Sequence, residues 1–244
     1  MKVKITVVIP TLNNVKGLKY LLNYFKDKPY KVVIIDNKKK NLGFAGGVNK
    51  GAKDVKTKWM LILNDDIEFY DDTSIKRLIE VAEKSKLDAV SPILVNPNGE
   101  VENYGYQVFP YGKIKLIKEL RITNYELDGL TAACLLIKTN VFKKLKGFDE
   151  RFFAYLEDVD FFLRFKKAGY KMGIVKDAKV LHNHMTTTKT MGNFKARQDM
   201  VNWWRLYFKH KDIIKFNWKF VVERLRNVSG FIKASFLLDQ SDKI

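Results

Sequence analysis

The first 90 residues alternate between two hydrophobic periodicities. Continuous aliphatic and β-branched runs predict three buried strands, at Lys4–Ile9, Lys31–Ile35 and Trp59–Leu63. Between the first two, apolar residues recur at helical spacing over Val15–Phe25, and a glycine-rich turn at residues 43–47 opens a second, shorter helix. Because strands alternate with helices, the pattern predicts an α/β domain built on a parallel, doubly wound sheet.

The pattern changes in the second half of the chain. Residues 104–120 suggest short strands or a loop, and Leu135–Ile137 predicts another apolar strand. From Phe194 onward, aromatic residues lie among lysines and arginines in a helical pattern. We therefore predict an α/β domain at residues 1–193 and a helical, basic and aromatic extension at residues 194–244. The extension either packs its rings on the domain or lies at a membrane interface, and the two are compatible.

Composition narrows the choice of partners. The chain has 244 residues and a formal net charge of +18, which indicates nucleic acid, nucleotide phosphates or an acidic membrane surface. Its single cysteine, Cys134, excludes a disulfide framework and a zinc site built from cysteines. No apolar run approaches the ~18 residues that span a bilayer. No signal peptide is expected before the first strand.

Polar side chains follow each of the three predicted strands. Pro10 and Thr11 follow the first strand, Asp36 and Asn37 the second, and residues 64–66 (Asn-Asp-Asp) the third. In open α/β sheets ligands bind outside the carboxyl ends of the strands. We therefore expect these loops to line one crevice.

An acidic segment is the strongest candidate for chemistry. An aromatic loop, Gly147–Phe153, precedes Glu157, Asp158 and Asp160, which are predicted to lie in the first turn of a helix. Carboxylates there face unpaired N–H groups and the positive end of the helix dipole, so they stay ionised and suit a general base. The alternative is an ordinary charged helix start, in which Asp160 pairs with Arg164 one turn later.

Six motifs follow one another along the chain. They are Pro10-Thr11-x-Asn13, Asp36-Asn37, the glycine-rich segment from Asn41 to Gly51, Leu63-Asn64-Asp65-Asp66, the acidic segment, and His182. Together they resemble the family 2 glycosyltransferases of GT-A fold, in the branch that includes rhamnosyl- and galactofuranosyltransferases of cell-surface polysaccharides. The resemblance implies a Rossmann-like, mostly parallel central sheet flanked by helices, and an inverting, metal-dependent transferase.

The resemblance also implies roles for individual residues. Asp158 would be the catalytic base that deprotonates the acceptor hydroxyl, and Glu157 and Asp160 would position the helix or sugar hydroxyls. Asp66 and His182 would bind Mg²⁺ or Mn²⁺. The remaining motif residues would bind the nucleotide-sugar donor: Pro10, Thr11, Asn13, Asp36, Asn37, Gly43, Asn49, Asn64 and Asp65.

The chain departs from the family pattern in two places. Asn64 stands where the commonest motif has its first aspartate, which lowers the local negative charge. Only residues 38–40 separate the Asp36-Asn37 motif from the glycine-rich segment, where the family usually has a further helix and strand, so we expect a sheet one strand narrower. After a second histidine, His184, residues 186–189 suggest a flap that closes over the diphosphate.

The resulting hypothesis is an enzyme that moves a sugar from a nucleotide-sugar donor to a lipid-linked or polysaccharide acceptor. We expect it in the cytoplasm, peripheral at the cytoplasmic face of an anionic membrane. The alternatives are a nucleotide-sugar-binding protein without turnover and a sugar nucleotidyltransferase, although the latter normally has a glycine-rich, basic loop where this chain has residues 10–13. Nucleic acid is not an expected partner, because the sequence contains no recognisable nucleic-acid-binding module.

Overall fold

The computed structural model of the chain describes residues 5–119, 127–183 and 193–241, with side chains through residue 235. The strands are β1 (Ile5–Thr11), β2 (Lys31–Asp36), β3 (Trp59–Leu63), β4 (Ile67–Phe69), β5 (Ala89–Val95), β6 (Val101–Asn103), β7 (Tyr106–Phe109), β8 (Lys113–Leu116), β9 (Cys134–Lys138) and β10 (Met172–His182). The helices are α1 (Val15–Phe25), α2 (Gly43–Ala52), α3 (Ser74–Lys84), α4 (Thr139–Lys144), α5 (Glu157–Lys167), α6 (Phe194–Lys209) and α7 (Trp218–Ser241), with a 3-10 turn at Glu150–Phe152.

One mixed sheet forms the centre of the molecule, in the strand order β2-β1-β3-β9-β5-β10-β4, with β6 beside β5. β1 is parallel to β2 and β3, and β5 is parallel to β10. β9 runs antiparallel between β3 and β5, and β4 runs antiparallel to β10. The predicted α/β fold is confirmed, but the sheet is mixed rather than mostly parallel, because an apolar run predicts a buried strand without predicting its direction.

Two apolar layers cover the opposite faces of this sheet. α1 and α3 pack on one face through Leu21 and Leu78. α2, α4 and α5 pack on the other face through Val48, Phe142 and Phe161. With both faces covered, the carboxyl ends of β1, β2 and β3 are the place where a ligand can reach the sheet.

β2 lies at the edge of the sheet and is only partly buried, with 36% of Ile34 exposed. The prediction of a buried second strand is therefore wrong. The short connection at residues 38–40 leaves no chain to form a strand outside β2. Within the described residues β2 pairs only with β1, as the expected narrower sheet requires.

The C-terminal helices belong to the same folded unit as the sheet. A third apolar cluster joins β7, α5, α6 and α7 through Tyr106, Val159, Leu206 and Phe220. The segment predicted as an extension at residues 194–244 thus shares its core with the α/β domain. Over the described ranges, no helix is both long and apolar enough to cross a membrane.

Candidate active site

The polar ends of the first three strands meet, as their sequence pattern predicted. The register of β1 and β2 pairs Thr11 with Asp36 at their carboxyl ends. On the other side of β1, the Thr11 hydroxyl donates a hydrogen bond to Asp65 Oδ2 at 2.6 Å. Thr11 therefore lies between the end of β2 and the turn that follows β3.

The turn after β3 carries two buried oxygen atoms that have no hydrogen-bond donor among the described residues. Asn64 Oδ1 and Asp66 Oδ1 are both buried, and neither accepts a hydrogen bond from the described residues. His182 lies beside them because the end of β10 pairs with the start of β4. Its Nε2 is 3.4 Å from Asp66 Oδ1, and its Nδ1 is 2.8 Å from Glu102 Oε2. A carboxylate that is hydrogen-bonded to one ring nitrogen fixes the orientation of the imidazole and of its second nitrogen, as is typical of metal-binding histidines.

His182 lies between the carboxylates of Asp66 and Glu102. Burial lowers the pKa of His182, but these two carboxylates outweigh burial and raise that pKa to about 9. Over residues 5–119, 127–183 and 193–241, no group of three or more His, Cys, Asp or Glu side chains forms a complete metal site. A divalent cation held by Asp66 and His182 would need further oxygen ligands from a bound molecule, as Mg²⁺ does at substrate phosphates.

Asp65, between the two unpartnered acceptors, is bound by protein groups. Besides Thr11, Asn14 Nδ2 reaches Asp65 Oδ1 at 3.2 Å and the Asp65 carbonyl oxygen at 2.9 Å. Asn14 also caps α1, where its Oδ1 accepts from the N–H of Gly17 at 3.0 Å. Burial raises the pKa of Asp65, and these side-chain hydrogen bonds lower it in part. Asp65 thus joins β1, α1 and the turn, and its expected role in donor binding stays a prediction.

The predicted nucleotide end of the crevice contains both open and buried residues. Asp36 and Asn13 are exposed, and Asp36 Oδ1 accepts from the N–H of Lys38 at 2.8 Å. Pro10 is buried. Asn37 is buried as well and donates to the Gly43 carbonyl oxygen at 3.2 Å, whereas its own Oδ1 has no partner among the described residues. Asp36 and Asn13 are therefore the predicted donor residues that a ligand can reach directly.

Gly43 and Asn49 connect α2 to the acidic segment. Gly43 has a φ of +68°, and a Cβ there would lie 2.3 Å from the Phe153 carbonyl oxygen, so only glycine fits. The Asn49 side chain donates to the Phe148 carbonyl oxygen at 2.8 Å and accepts from the Phe148 N–H at 2.9 Å. It also donates to Glu150 Oε1 at 3.0 Å. Both residues hold the loop in place, and their expected role in donor binding stays a prediction.

Asp158 lies half-buried in the first turn of α5, as predicted. Its Oδ1 accepts from the N–H of Val159 at 2.8 Å. Burial raises the pKa of Asp158 to about 6, although backbone hydrogen bonds from Val159 and Ala132 and the charge of Lys195 lower it in part. A carboxylate of this pKa is ionised at neutral pH and is more basic than an ordinary aspartate, which suits a general base.

Two further buried polar atoms next to Asp158 have no partner in the described part of the chain, Glu157 Oε2 and the Tyr106 hydroxyl. Burial, followed by the charge of Asp158, raises the pKa of Glu157 well above its usual range. Burial and the charges of Asp158 and Glu157 likewise raise the pKa of Tyr106. The sequence analysis did not identify Tyr106, because β7 is distant from the acidic segment along the chain.

Asp160 has a structural role in the core. It is fully buried, and its carboxylate lies 2.8 Å from Arg164 Nη2, 2.8 Å from Lys209 Nζ and 2.9 Å from His210 Nε2. Burial alone would raise the pKa of Asp160, but these three basic side chains hold it below its usual value. The pairing of Asp160 with Arg164 is confirmed. Because basic side chains occupy both oxygens, Asp160 holds α5 in place, in agreement with its expected role in positioning the helix. Its expected role in positioning sugar hydroxyls stays a prediction.

The loop before Asp158 has an unusual backbone conformation. Phe153, Tyr155 and Leu156 have φ angles of 60°, 66° and 68°, values that residues other than glycine rarely adopt. Asn202 of α6 is fully buried, and its side-chain NH₂ group lies within hydrogen-bond distance, 2.7–2.9 Å, of the carbonyl oxygens of Phe152, Ala154 and Tyr155. Strained residues of this kind persist where the surroundings hold them, commonly at functional sites. No local signal in the sequence pointed to Asn202.

One short segment connects the turn after β3 with Asp158. The Ala133 carbonyl oxygen accepts from the N–H of Asn64 at 2.8 Å. The neighbouring Ala132 N–H donates to the Asp158 carboxylate. Two consecutive residues therefore connect the turn that carries Asn64 and Asp66 to the candidate base. His184 and the predicted flap at residues 186–189 lie outside the described residues.

Comparison with known proteins gives the same family as the motifs. The model of the family described as glycosyl transferase family 2 matches residues 18–146. An N-acetylglucosaminyl-diphospho-decaprenol L-rhamnosyltransferase of Mycobacterium tuberculosis is 28% identical over 149 residues, which are 53% of this chain and 48% of the relative. Rhamnosyltransferase WbbL of Escherichia coli is 23% identical over 194 residues, which are 64% of this chain and 74% of the relative. The chain thus spans about half the length of the mycobacterial relative.

A solved structure supports the fold. The mannosyltransferase PcManGT from Pyrobaculum calidifontis, in complex with GDP-Man and Mn²⁺, superposes with a TM-score of 0.60 at 13% identity. The match covers 98% of this chain and 75% of that one. At this identity the similarity concerns the fold alone, and it agrees with the GT-A fold that the motifs implied. With the family model covering more than half of its residues, the chain belongs to glycosyl transferase family 2.

Proposed function

We propose that this protein is an inverting, divalent-metal-dependent glycosyltransferase that acts on a nucleotide-sugar donor and a lipid-linked or polysaccharide acceptor. Two relatives are named as rhamnosyltransferases, which supports a donor sugar related to rhamnose. The name of one of them includes a lipid diphosphate acceptor. A lipid-linked acceptor would place the enzyme at the cytoplasmic face of a membrane, where nucleotide sugars are available.

One observation carries the proposal. The Ala132–Ala133 segment joins the Asp158 carboxylate, whose pKa is raised, to a turn in which Asn64 and Asp66 each present a buried oxygen that accepts no hydrogen bond from the described residues. Buried acceptors in folded proteins seldom lack a hydrogen bond, so two such acceptors side by side indicate a site for a ligand or a cation. A base beside such a site is the arrangement that a metal-dependent transfer to a hydroxyl requires.

The residues of the turn fit a divalent cation. Asp66 offers a carboxylate oxygen, Asn64 an amide oxygen and His182 an imidazole nitrogen, and the Glu102 carboxylate orients that imidazole. These few ligands match a cation that shares its coordination shell with substrate phosphates. When bound, such a cation would offset the negative charge that grows on the departing nucleoside diphosphate.

The groups near Asp158 fit the other half of the reaction. The Asp158 carboxylate would take the proton of the acceptor hydroxyl while the oxygen of that hydroxyl forms a bond to the anomeric carbon and the bond to the diphosphate breaks. Attack from the side opposite the leaving group inverts the configuration. The Glu157 carboxyl group and the Tyr106 hydroxyl would hold acceptor or sugar hydroxyls through oxygen atoms that have no hydrogen-bond partner among the described residues.

The proposal can be tested with purified protein and a panel of nucleotide sugars in the presence of Mg²⁺ or Mn²⁺. Donor binding is measured by calorimetry, and transfer to a polyprenyl-diphosphate-linked N-acetylglucosamine or a polysaccharide is measured by release of nucleoside diphosphate. We expect metal-dependent binding of one donor, transfer to an acceptor, and a product whose anomeric configuration by NMR is opposite to that of the donor.

Each part of the proposal has its own contradicting result. Retained configuration would refute inversion, and full activity in excess chelator would refute metal dependence. Tight donor binding without nucleoside diphosphate release, with every acceptor offered, would favour a nucleotide-sugar-binding protein without turnover.

A further inference from the structure

The outer surface of α6 and α7 presents a large apolar patch. We define this patch by its exposed large side chains, Trp204, Phe208, Phe216, Trp218, Val221, Leu225, Val228 and Ile232. Its aromatic part is continuous, because the ring of Trp204 lies 6.2 Å from that of Phe208, and the half-buried ring of Tyr207 lies 5.2 Å from Phe208 and 5.9 Å from Phe216. Exposed apolar surface of this extent marks an interaction site in a folded protein.

The patch continues along α7 as a regular stripe. Trp218, Val221, Leu225, Val228 and Ile232 follow one another at alternating spacings of three and four residues, so they share one helix face. The opposite face packs inward through Phe220 and Arg224. Leu225 is 62% exposed and Trp218 is 71% exposed, so the stripe is not covered by the described part of the chain.

Positive charge borders the patch. On α7, Lys219, Arg226 and Lys233 recur every seven residues along one edge of the stripe and are exposed. Lys211 lies 5.3 Å above the ring of Phe208. Among its described residues, the exposed face of α7 carries no acidic side chain, and Glu223 is bound to Arg226 at its border.

This distribution of charge distinguishes between two candidate partners for the patch, a second copy of the chain and an anionic membrane. A second copy of the chain would bring the same basic edge and no acidic side chain to complement it. An anionic lipid surface supplies complementary charge to the lysines and an apolar layer for the rings and aliphatic side chains. We infer that the patch on α6 and α7 is a docking surface for an anionic membrane, on which α7 lies in the plane of the headgroups.

The inference refines the expectation that the whole C-terminal segment acts as an anchor. Trp203 is 6% exposed and stacks against Arg224, with 4.3 Å from the guanidinium carbon to the ring centroid, so it belongs to the core. Its neighbour Trp204 lies on the patch. The anchor is therefore one face of two packed helices, and it does not depend on the proposed glycosyl transfer.

Vesicle binding tests the inference without any sugar substrate. The full chain is mixed at low ionic strength with phosphatidylcholine vesicles that contain phosphatidylglycerol, or with pure phosphatidylcholine vesicles, and the bound fraction is measured by flotation. We expect binding to the anionic vesicles that weakens as salt is added. The pair Leu225→Glu and Ile232→Glu should weaken it by at least ~10-fold, because two anchoring side chains lose their apolar contact. The pair Lys219→Gln and Lys233→Gln should weaken it by roughly 25-fold, because each lysine contributes about fivefold near an anionic surface.

Matched variants on α1 control for surface changes in general. Leu22→Glu replaces a side chain that is 45% exposed, and Lys16→Gln with Lys19→Gln removes two exposed lysines. These should leave vesicle binding unchanged, and circular dichroism should show that every variant is folded. The inference is overturned if the wild-type chain ignores anionic vesicles at low salt, or if the α1 variants weaken binding equally. It is also overturned if the wild-type chain is a dimer that Leu225→Glu dissociates while vesicle binding is absent, because the patch would then join two copies.

Discussion

The side-chain amide of Asn202 donates a hydrogen bond to the Tyr155 carbonyl oxygen at 2.7 Å, and this contact ties α6 to the loop that precedes the candidate base. The same amide reaches the carbonyl oxygens of Phe152 and Ala154 at 2.9 Å. A helix from the predicted extension therefore positions a segment of the active site. Because three residues of this loop have positive φ, the loop depends on such contacts to keep its conformation.

Asn202→Ala should reduce transfer activity by more than its effect on stability would suggest. Loss of the amide leaves buried carbonyl oxygens unpaired, which costs about 1–3 kcal/mol and lets the loop relax away from Asp158. We expect kcat to fall at least ~10-fold with little change in donor affinity. Asn217→Ala is the control, because it removes a hydrogen bond to the Phe220 N–H at the start of α7 and none to this loop. Equal kcat in both variants would contradict the positioning role.

Asp158→Asn should abolish most transfer while leaving the protein at least as stable as the wild type. The amide keeps the shape of the side chain but is not basic, and loss of a general base typically costs ~10²–10⁴-fold in rate. Asp158 is ionised at neutral pH, but its raised pKa means that burying this charge lowers the free energy of unfolding. A neutral asparagine removes that cost. The measurements are initial rates and thermal unfolding at the same pH. Activity within a few-fold of wild type would rule out Asp158 as the base.

The pH dependence of kcat/KM should report the same group. With a pKa of about 6, Asp158 loses its proton as the pH rises through 6, so activity should rise tenfold per unit below that value and level off above it. If the base were an aspartate of ordinary pKa, the same rise in activity would occur near pH 4. A rate that does not vary between pH 5 and 8 would show that another group accepts the proton.

Asp66→Ala should remove metal-dependent binding of nucleoside diphosphate. Asp66 supplies the charged oxygen of the proposed cation site, and changes even to second-shell residues of metal sites cost ~10–100-fold in affinity. Calorimetric titration of the nucleotide with Mn²⁺ and with chelator measures the effect. Asp65→Ala is the matched variant, because its carboxylate is bound by Thr11 and Asn14. We expect it to lower stability yet keep the difference between metal and chelator, and the reverse result would place the ligand at Asp65.

Asp160→Asn should destabilise the protein strongly. It would leave Arg164, Lys209 and His210 without their buried carboxylate, and breaking such a buried pair costs about 3–5 kcal/mol. Denaturant unfolding measures the change. The control is Asp212→Asn, which breaks an exposed pair with Lys167 and should change stability little. If Asp160→Asn unfolds like the wild type but loses acceptor affinity, Asp160 positions a sugar hydroxyl and does not mainly stabilise the core.

The sequence alone predicted the elements and residues whose signals are local. Apolar runs and helical spacing located β1, β2, β3 and α1 within one or two residues of their observed bounds. Polar residues directly after these strands predicted the crevice, since the ends of adjacent parallel strands must meet. The first turn of α5, with Asp158, was predicted because its carboxylates and the closing Gly169 are neighbours along the chain.

Only the tertiary structure decided which polar residues face a ligand and which hold the protein together. Asp158 and Asp160 look alike in the sequence, yet Lys209 and His210 of a distant segment enclose Asp160 and leave Asp158 half-buried beside the crevice. Trp203 and Trp204 are adjacent, yet one packs in the core and the other lies on the exposed patch. The physical reason is the same in both cases. Periodicity and capping act over a few residues, whereas burial and ion pairing depend on which distant segments the fold brings into contact.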